Sequence, residues 1–155
     1  MINPLYRLTK IALLVTAIVI VLGAYTRLTD AGLGCPDWPG CYGFLTVPTE
    51  ATDVAKAQQA FPERPVEAHK AWNEMIHRYF AGSLGLLILG IFILSIKAKQ
   101  SLVLPTILLI TVCFQAILGM LTVTMNLQPV IVMGHLLGGF TTFSLLLLFA
   151  LQLKR

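Results

Sequence analysis

Four long apolar stretches constrain the fold of this chain more than any other feature. A transmembrane helix needs about 20 predominantly apolar residues, and we place such stretches at about residues 8–25, 72–96, 102–123 and 130–153. Only 12% of the 155 residues are charged, about half the share usual in a soluble domain. The sequence therefore predicts an integral membrane protein.

The connections between these stretches predict how the helices are arranged. The last two connections are short, so neighbouring helices should run antiparallel. Pro129 suits the first turn of the fourth helix, where its missing N–H costs nothing. We expect an all-α fold, with one four-helix antiparallel transmembrane domain over residues 1–155 and a long outer loop at 28–71. The first stretch follows Arg7 and Lys10 as in a signal peptide, but no small-x-small cleavage site follows, which favours a retained helix.

The long loop has two parts of different composition. Residues 29–43 are rich in Gly, Pro and Cys, which predicts a compact, turn-rich structure. Residues 49–60 are mostly helix formers behind a candidate cap at Thr49 or Thr52. We expect a short helix there, lying on the membrane surface.

The charges sort by membrane side rather than onto one soluble face, so a nucleic-acid partner is not expected. Basic residues without acidic neighbours lie near both termini and in the turn between the second and third apolar stretches: Arg7, Lys10, Lys97, Lys99, Lys154 and Arg155. All seven acids lie on the opposite side: Asp30, Asp37, Glu50, Asp53, Glu63, Glu67 and Glu74. The positive-inside rule then places both termini in the cytoplasm and the long loop outside.

Two histidines within apolar helices indicate a functional site, because ionisable residues in membrane spans are costly and rare. His77 lies about five residues into the second helix and His135 about six residues past Pro129, so both lie within about 10 Å of the outer boundary. Because the two imidazoles lie at the same depth, we predict that both bind one heme iron. The alternative is that each histidine hydrogen-bonds a neighbouring helix.

Glu74 precedes His77 by three residues and is the only acid within a predicted span. A carboxyl in apolar surroundings is suited to proton transfer. An equally weighted alternative is a helix-end residue that faces water and favours the helix dipole. Arg27 and Arg78, at the outer ends of helices one and two, could pair with heme propionates, and interfacial anchoring has equal weight.

The third and fourth helices carry residues with packing roles. Thr111, Gln115, Gly119 and Thr122 form one polar stripe, predicted to face the bundle interior and make interhelical hydrogen bonds. Glycines next to the histidines would allow another helix or a flat ligand to approach: Gly134, Gly138 and Gly139, with Gly82 and Gly85 on helix two. Helix packing alone is the more economical interpretation.

Cys35 and Cys41 flank P-D-W-P-G in the outer loop. On the oxidising side of a membrane, two cysteines this close predict a disulfide, either structural or redox-active. A strained, solvent-facing disulfide could accept electrons. Cys113, within helix three, is predicted to be a buried small hydrophobic residue.

Taken together, these segments resemble the heme A synthase family. The resemblance rests on G-A-Y-T-R-L-T-D-A-G-L-G-C-P-D-W-P-G-C-Y-G, E-M-I-H-R-Y-F-A-G, Q-A-I-L-G-M-L-T-V and G-H-L-L-G-G-F, in the family's order. It implies an oxidoreductase that converts heme O to heme A, oxidising a ring methyl through an alcohol to a formyl group for cytochrome oxidase. His77 and His135 match its heme ligands, Glu74 its assisting acid, and Cys35 and Cys41 its loop cysteine pair.

The resemblance also implies partners and a location. Expected cofactors are heme B, substrate heme O, or both, in a bacterial-type inner membrane, with heme O synthase or cytochrome oxidase assembly proteins as partners. Family members usually have two such four-helix halves, and this chain resembles the N-terminal one. We therefore expect a homodimer or a second half outside this sequence. The alternative functions are a bis-histidine cytochrome b for electron transfer and a heme-binding assembly factor without turnover.

Overall fold

A computed structural model describes residues 4–154 as helices joined by turns and one long loop. The helices are α1 (Pro4–Leu28), α2 (Ala51–Ala60), α3 (Ala68–Lys97), α4 (Val103–Thr124) and α5 (Pro129–Lys154). All except α2 are long and apolar enough to cross a membrane, and their surfaces expose large apolar side chains such as Leu14, Leu86 and Phe114. The predicted all-α membrane bundle is confirmed.

The helix ends differ from the predicted ones by at most four residues, and α1 begins at Pro4 instead of at about residue 8. α3 begins at Ala68, four residues before the predicted start, because its first turn packs on the outer loop and Ala71 is fully buried there. α5 begins at Pro129, as predicted. Arg155, one of the predicted inner-side charges, lies outside the described residues.

Each of the four long helices packs against two neighbours in the bundle. α1 packs against α3 and α5, and α4 packs against the same two helices. Within residues 4–154, the diagonal pairs α3–α5 and α1–α4 have no direct packing. The diagonal helices are therefore farther apart than the adjacent ones.

Two separate hydrophobic cores stabilise the molecule. The first fills the inner half of the bundle, with the members Leu5, Ala12, Leu84, Ile88, Ile91, Leu108, Leu146 and Phe149. The second lies under the outer loop, with the members Cys35, Cys41, Tyr42, Val47, Ala57, Ala71 and Met75. His77 and His135 lie in the region between the two cores.

The predicted short helix forms as α2, and it packs through Ala57 onto the loop core. Its N-cap residue is Glu50, without a side-chain cap hydrogen bond, so the predicted Thr49 or Thr52 cap is wrong. The α4–α5 turn also contacts the loop, because the Leu127 side chain packs against Gly32.

The predicted interhelical bonding along α4 is also wrong for its threonines. Thr111 donates to the carbonyl of Ile107, and Thr122 donates to that of Gly119, both within α4. A hydroxyl in an apolar helix can be satisfied by its own preceding turn, so a polar stripe does not require a partner helix. Gln115 behaves differently and belongs to the site.

Candidate heme site and the loop above it

The structure brings the two intramembrane histidines together across the bundle diagonal. The ring centres of His77, on α3, and His135, on α5, are 6.5 Å apart, with planes at 88°. Their helices do not otherwise pack against each other among residues 4–154. The side chains thus meet in the space between diagonal helices.

Each imidazole has a buried nitrogen without a partner. The Nδ1 atoms of both rings are buried and have no hydrogen-bond partner within the described part of the chain. The His77 ring is next to the backbone of Val19 on α1, and the His135 ring is next to that of Gln115 on α4. A buried imidazole nitrogen without a hydrogen-bond partner is available to bind a metal.

Glycines on the adjacent helices make room for both rings. A Cβ on Gly23 of α1 would lie 3.0 Å from Cε1 of His77, and one on Gly119 of α4 would lie 3.4 Å from Cε1 of His135. The predicted glycines Gly82 and Gly85 have open space around them instead. Sequence reasoning missed Gly23 as a neighbour of His77, because the rotation of a helix that is apolar all round does not follow from its sequence. Gly119 belongs to the stripe predicted to face the bundle interior.

The residues present fit a heme. Metal–imidazole bonds are about 2.0–2.1 Å long, so two imidazoles on opposite faces of one iron have ring centres roughly 6 Å apart. The observed 6.5 Å agrees with that separation. Two histidines complete the coordination when a macrocycle supplies the remaining ligands.

Glu74 lies against the outer loop rather than facing water. It is 4% exposed. Its Oε2 accepts the backbone N–H of Cys35 at 2.9 Å, and its Oε1 pairs with Nη2 of Arg78 at 2.5 Å. The water-facing helix-end interpretation is wrong, because the loop covers this face of α3.

Arg78 fastens the same loop. Its Nη1 donates to the carbonyl oxygens of Asp37 at 2.9 Å, Pro39 at 3.3 Å and Gly40. Its side chain is 11% exposed, so it is not an interfacial anchor. We call Glu74 and Arg78 together the loop clamp. Arg27 is exposed at the end of α1.

The outer loop is folded around a disulfide between Cys35 and Cys41, as predicted. Both cysteines are fully buried, so the interpretation as a solvent-facing redox disulfide is wrong: the loop core encloses it. Cys113, predicted to be buried, is an exposed free cysteine. It lies on a membrane-spanning helix, and apolar residues suit a lipid-facing surface as well as an interior.

Asp37 and Tyr42 support this loop, and sequence reasoning missed both. The Asp37 carboxylate accepts the backbone N–H groups of Tyr42 at 2.6 Å and Gly43 at 2.8 Å. Burial, followed by the nearby Glu67 carboxylate, raises the pKa of the Tyr42 phenol, whose O–H donates to Pro65. The available signal was the aspartate after a proline in a tight turn, where its side chain commonly bonds nearby backbone.

Comparison with known proteins assigns the chain to a family. Residues 6–155 match the COX15-CtaA family model, described as cytochrome oxidase assembly protein. The chain belongs to this family. It is also 54% identical, over 148 residues, to the Heme A synthase of Shewanella oneidensis. That match covers 95% of this chain but 45% of the relative, so the chain spans about half of the relative's length.

We expect the loop clamp to protect the Cys35–Cys41 disulfide from reduction. Arg78→Met leaves the Glu74 carboxylate buried without its partner, a change that typically costs roughly 3–5 kcal/mol. The loop should open more often, and a water-soluble phosphine should reduce Cys35–Cys41 at least roughly tenfold faster. Thiol labelling of membranes over time measures this rate.

Lys56→Met is the matched control, because it removes only the exposed ion pair with Asp53 on α2. It should leave the reduction rate unchanged. Equal reduction rates in Arg78→Met and the unmodified chain would show that the clamp does not hold the loop closed.

Proposed function

We propose that this chain is the heme-binding four-helix unit of a heme A synthase, which oxidises a ring methyl of heme O to a formyl group. The observation that carries the proposal is the pair of imidazoles, each with an unpaired buried nitrogen, 6.5 Å apart between diagonal helices. The similarity to the Shewanella oneidensis enzyme supports the reaction.

The chain's own residues hold and shield the heme in this proposal. His77 and His135 would hold the iron through their ring nitrogens, and the neighbouring backbones of Val19 and Gln115 would limit the orientation of the two rings. The iron, when bound, supplies the redox chemistry. The outer loop, fastened by the loop clamp, covers α3 just outside this level and limits the entry of water.

Propionate carboxylates belong at the outer end of such a site. Arg27 ends α1 on that side and is exposed, and an arginine can bind a carboxylate through two parallel hydrogen bonds. Arg78 has fewer donors to offer, because Nη1 is already shared among loop carbonyls. We therefore assign propionate pairing to Arg27 before Arg78.

A second four-helix unit completes the proposed enzyme. The chain has one histidine pair at the diagonal, and the relative is about twice as long. We infer that a homodimer or a separate second half supplies the other heme site, so that heme O and heme B occupy different units. Heme O synthase and other oxidase assembly proteins are the proposed partners for delivering substrate.

The proposed location is a bacterial-type inner membrane, with both termini in the cytoplasm. The disulfide supports an outer loop on the oxidising side. Lys97, Lys99 and Lys154 mark the opposite, inner side of the bundle.

The histidine pair makes a direct prediction. His77→Ala and His135→Ala should each lose most bound heme, because one axial ligand is removed, while helix content in the membrane stays unchanged. The measurement is heme per chain in purified protein. His69→Ala is the control, since His69 is exposed in the first turn of α3 and should retain full heme. Full heme in both site variants would refute the proposed ligands.

Glu74 gives a second prediction, concerning its proposed role in proton transfer. Glu74→Gln keeps nearly the same volume, and its amide oxygen can still accept the Cys35 N–H. The variant should keep its heme, and oxidation should stop at heme O or the alcohol, as shown by the masses of extracted hemes. Normal heme A output would show that the carboxyl only holds the loop.

One observation favours a second candidate, a bis-histidine cytochrome b for electron transfer. Both Glu74 oxygens are already bonded, to Arg78 and Cys35, and an electron-transfer protein needs no free acid beside its ligand. Incubation of the assembled protein with heme O distinguishes the two candidates. A synthase changes the mass of the heme, and a cytochrome does not.

A further inference from the structure

Gln115 is a partly buried polar residue whose role the histidine ligands do not explain. Its Nε2 is buried without a hydrogen-bond partner among residues 4–154. The other two such atoms are the Nδ1 atoms of His77 and His135. An amide left unpaired in an apolar interior is unfavourable, so a donor placed here is expected to have an acceptor when the site is in use.

The Gln115 side chain lies on the histidine face of α5. Its amide rests on Gly138, where the Cβ of any other residue would overlap with it. Gly138 follows His135 by three residues, so the two share one face of α5. In return, the His135 ring rests on Gly119, four residues after Gln115 on α4. Each long side chain therefore occupies the space left by a glycine of the other helix.

This packing places Gln115 deeper in the membrane than the histidines. Gly119 lies beside His135, and α4 runs from the inner to the outer side, so Gln115 lies about 6 Å further inward. The outer end of the site carries Arg27, the residue proposed for propionates. The Gln115 amide therefore lies on the opposite side of the histidine level from Arg27.

We propose that Gln115 contacts the heme bound between His77 and His135, its amide N–H donating to the tail hydroxyl oxygen at the edge opposite the propionates. This inference rests on the proposed heme site and adds a specificity-determining residue to it. A site built to hydrogen-bond an oxygen discriminates strongly against an analogue that lacks it. Heme B lacks this hydroxyl, and heme O and heme A both carry it.

The test is a titration of heme-free protein in lipid nanodiscs with heme B, heme O and heme A, for the unmodified chain and Gln115→Met. Methionine keeps the length of the side chain and removes the donor. Affinity for the oxygen-bearing hemes should fall roughly three- to tenfold, with heme B affinity unchanged. A similar loss for heme O and heme A identifies the tail hydroxyl as the acceptor, and a loss for heme A alone would contradict this assignment.

Two further variants keep the inference falsifiable. Gln115→Leu also removes the amide donor with a side chain of similar volume, so it should show the same selective loss if Gln115→Met does not fold. Thr111→Val removes a hydroxyl already bonded within α4 and should change none of the affinities. Equal losses for all three hemes, or no loss for any, would overturn the inference. Because heme retention in the His77 and His135 variants is a separate measurement, failure of the heme site itself would be recognised independently.

Discussion

The separation of the diagonal helices is the constraint on which the rest of the structure depends. α1 and α4 each contact both α3 and α5, and so hold α3 and α5 apart at the level where each carries a histidine. Inward of this level the bundle closes on an apolar core, and outward the disulfide loop closes on another. Among residues 4–154, the buried side-chain polar atoms without a partner lie between these cores, which is why a ligand is expected there.

The loop clamp connects the outer core to the site. Glu74 and Arg78 flank His77 on α3, and both side chains turn outward to backbone groups between Cys35 and Gly40. An ion pair removed from water is stable only when hydrogen bonds satisfy its remaining atoms, and the loop backbone supplies those bonds. The position of the first turns of α3 is thereby tied to the folding of the disulfide loop.

Part of this arrangement could be predicted from the sequence. The number of spans followed from apolar length, the matched depth of His77 and His135 from counting residues to the outer boundary, and the Cys35–Cys41 disulfide from spacing. The partners of Glu74 could not be predicted, because Cys35 lies 39 residues earlier in the chain. The position of Gly23 beside His77 depends on the rotation of α1, and a helix apolar on all faces gives no signal for rotation.

Locating the iron is the most direct test of the account. A structure of the heme-loaded chain in lipid, with iron identified by anomalous scattering at its absorption edge, would show the metal without relying on variants. The account predicts one iron between α3 and α5, about 2 Å from a ring nitrogen of His77 and of His135. Iron at any other position, or bonded to only one of these two histidines, would contradict it.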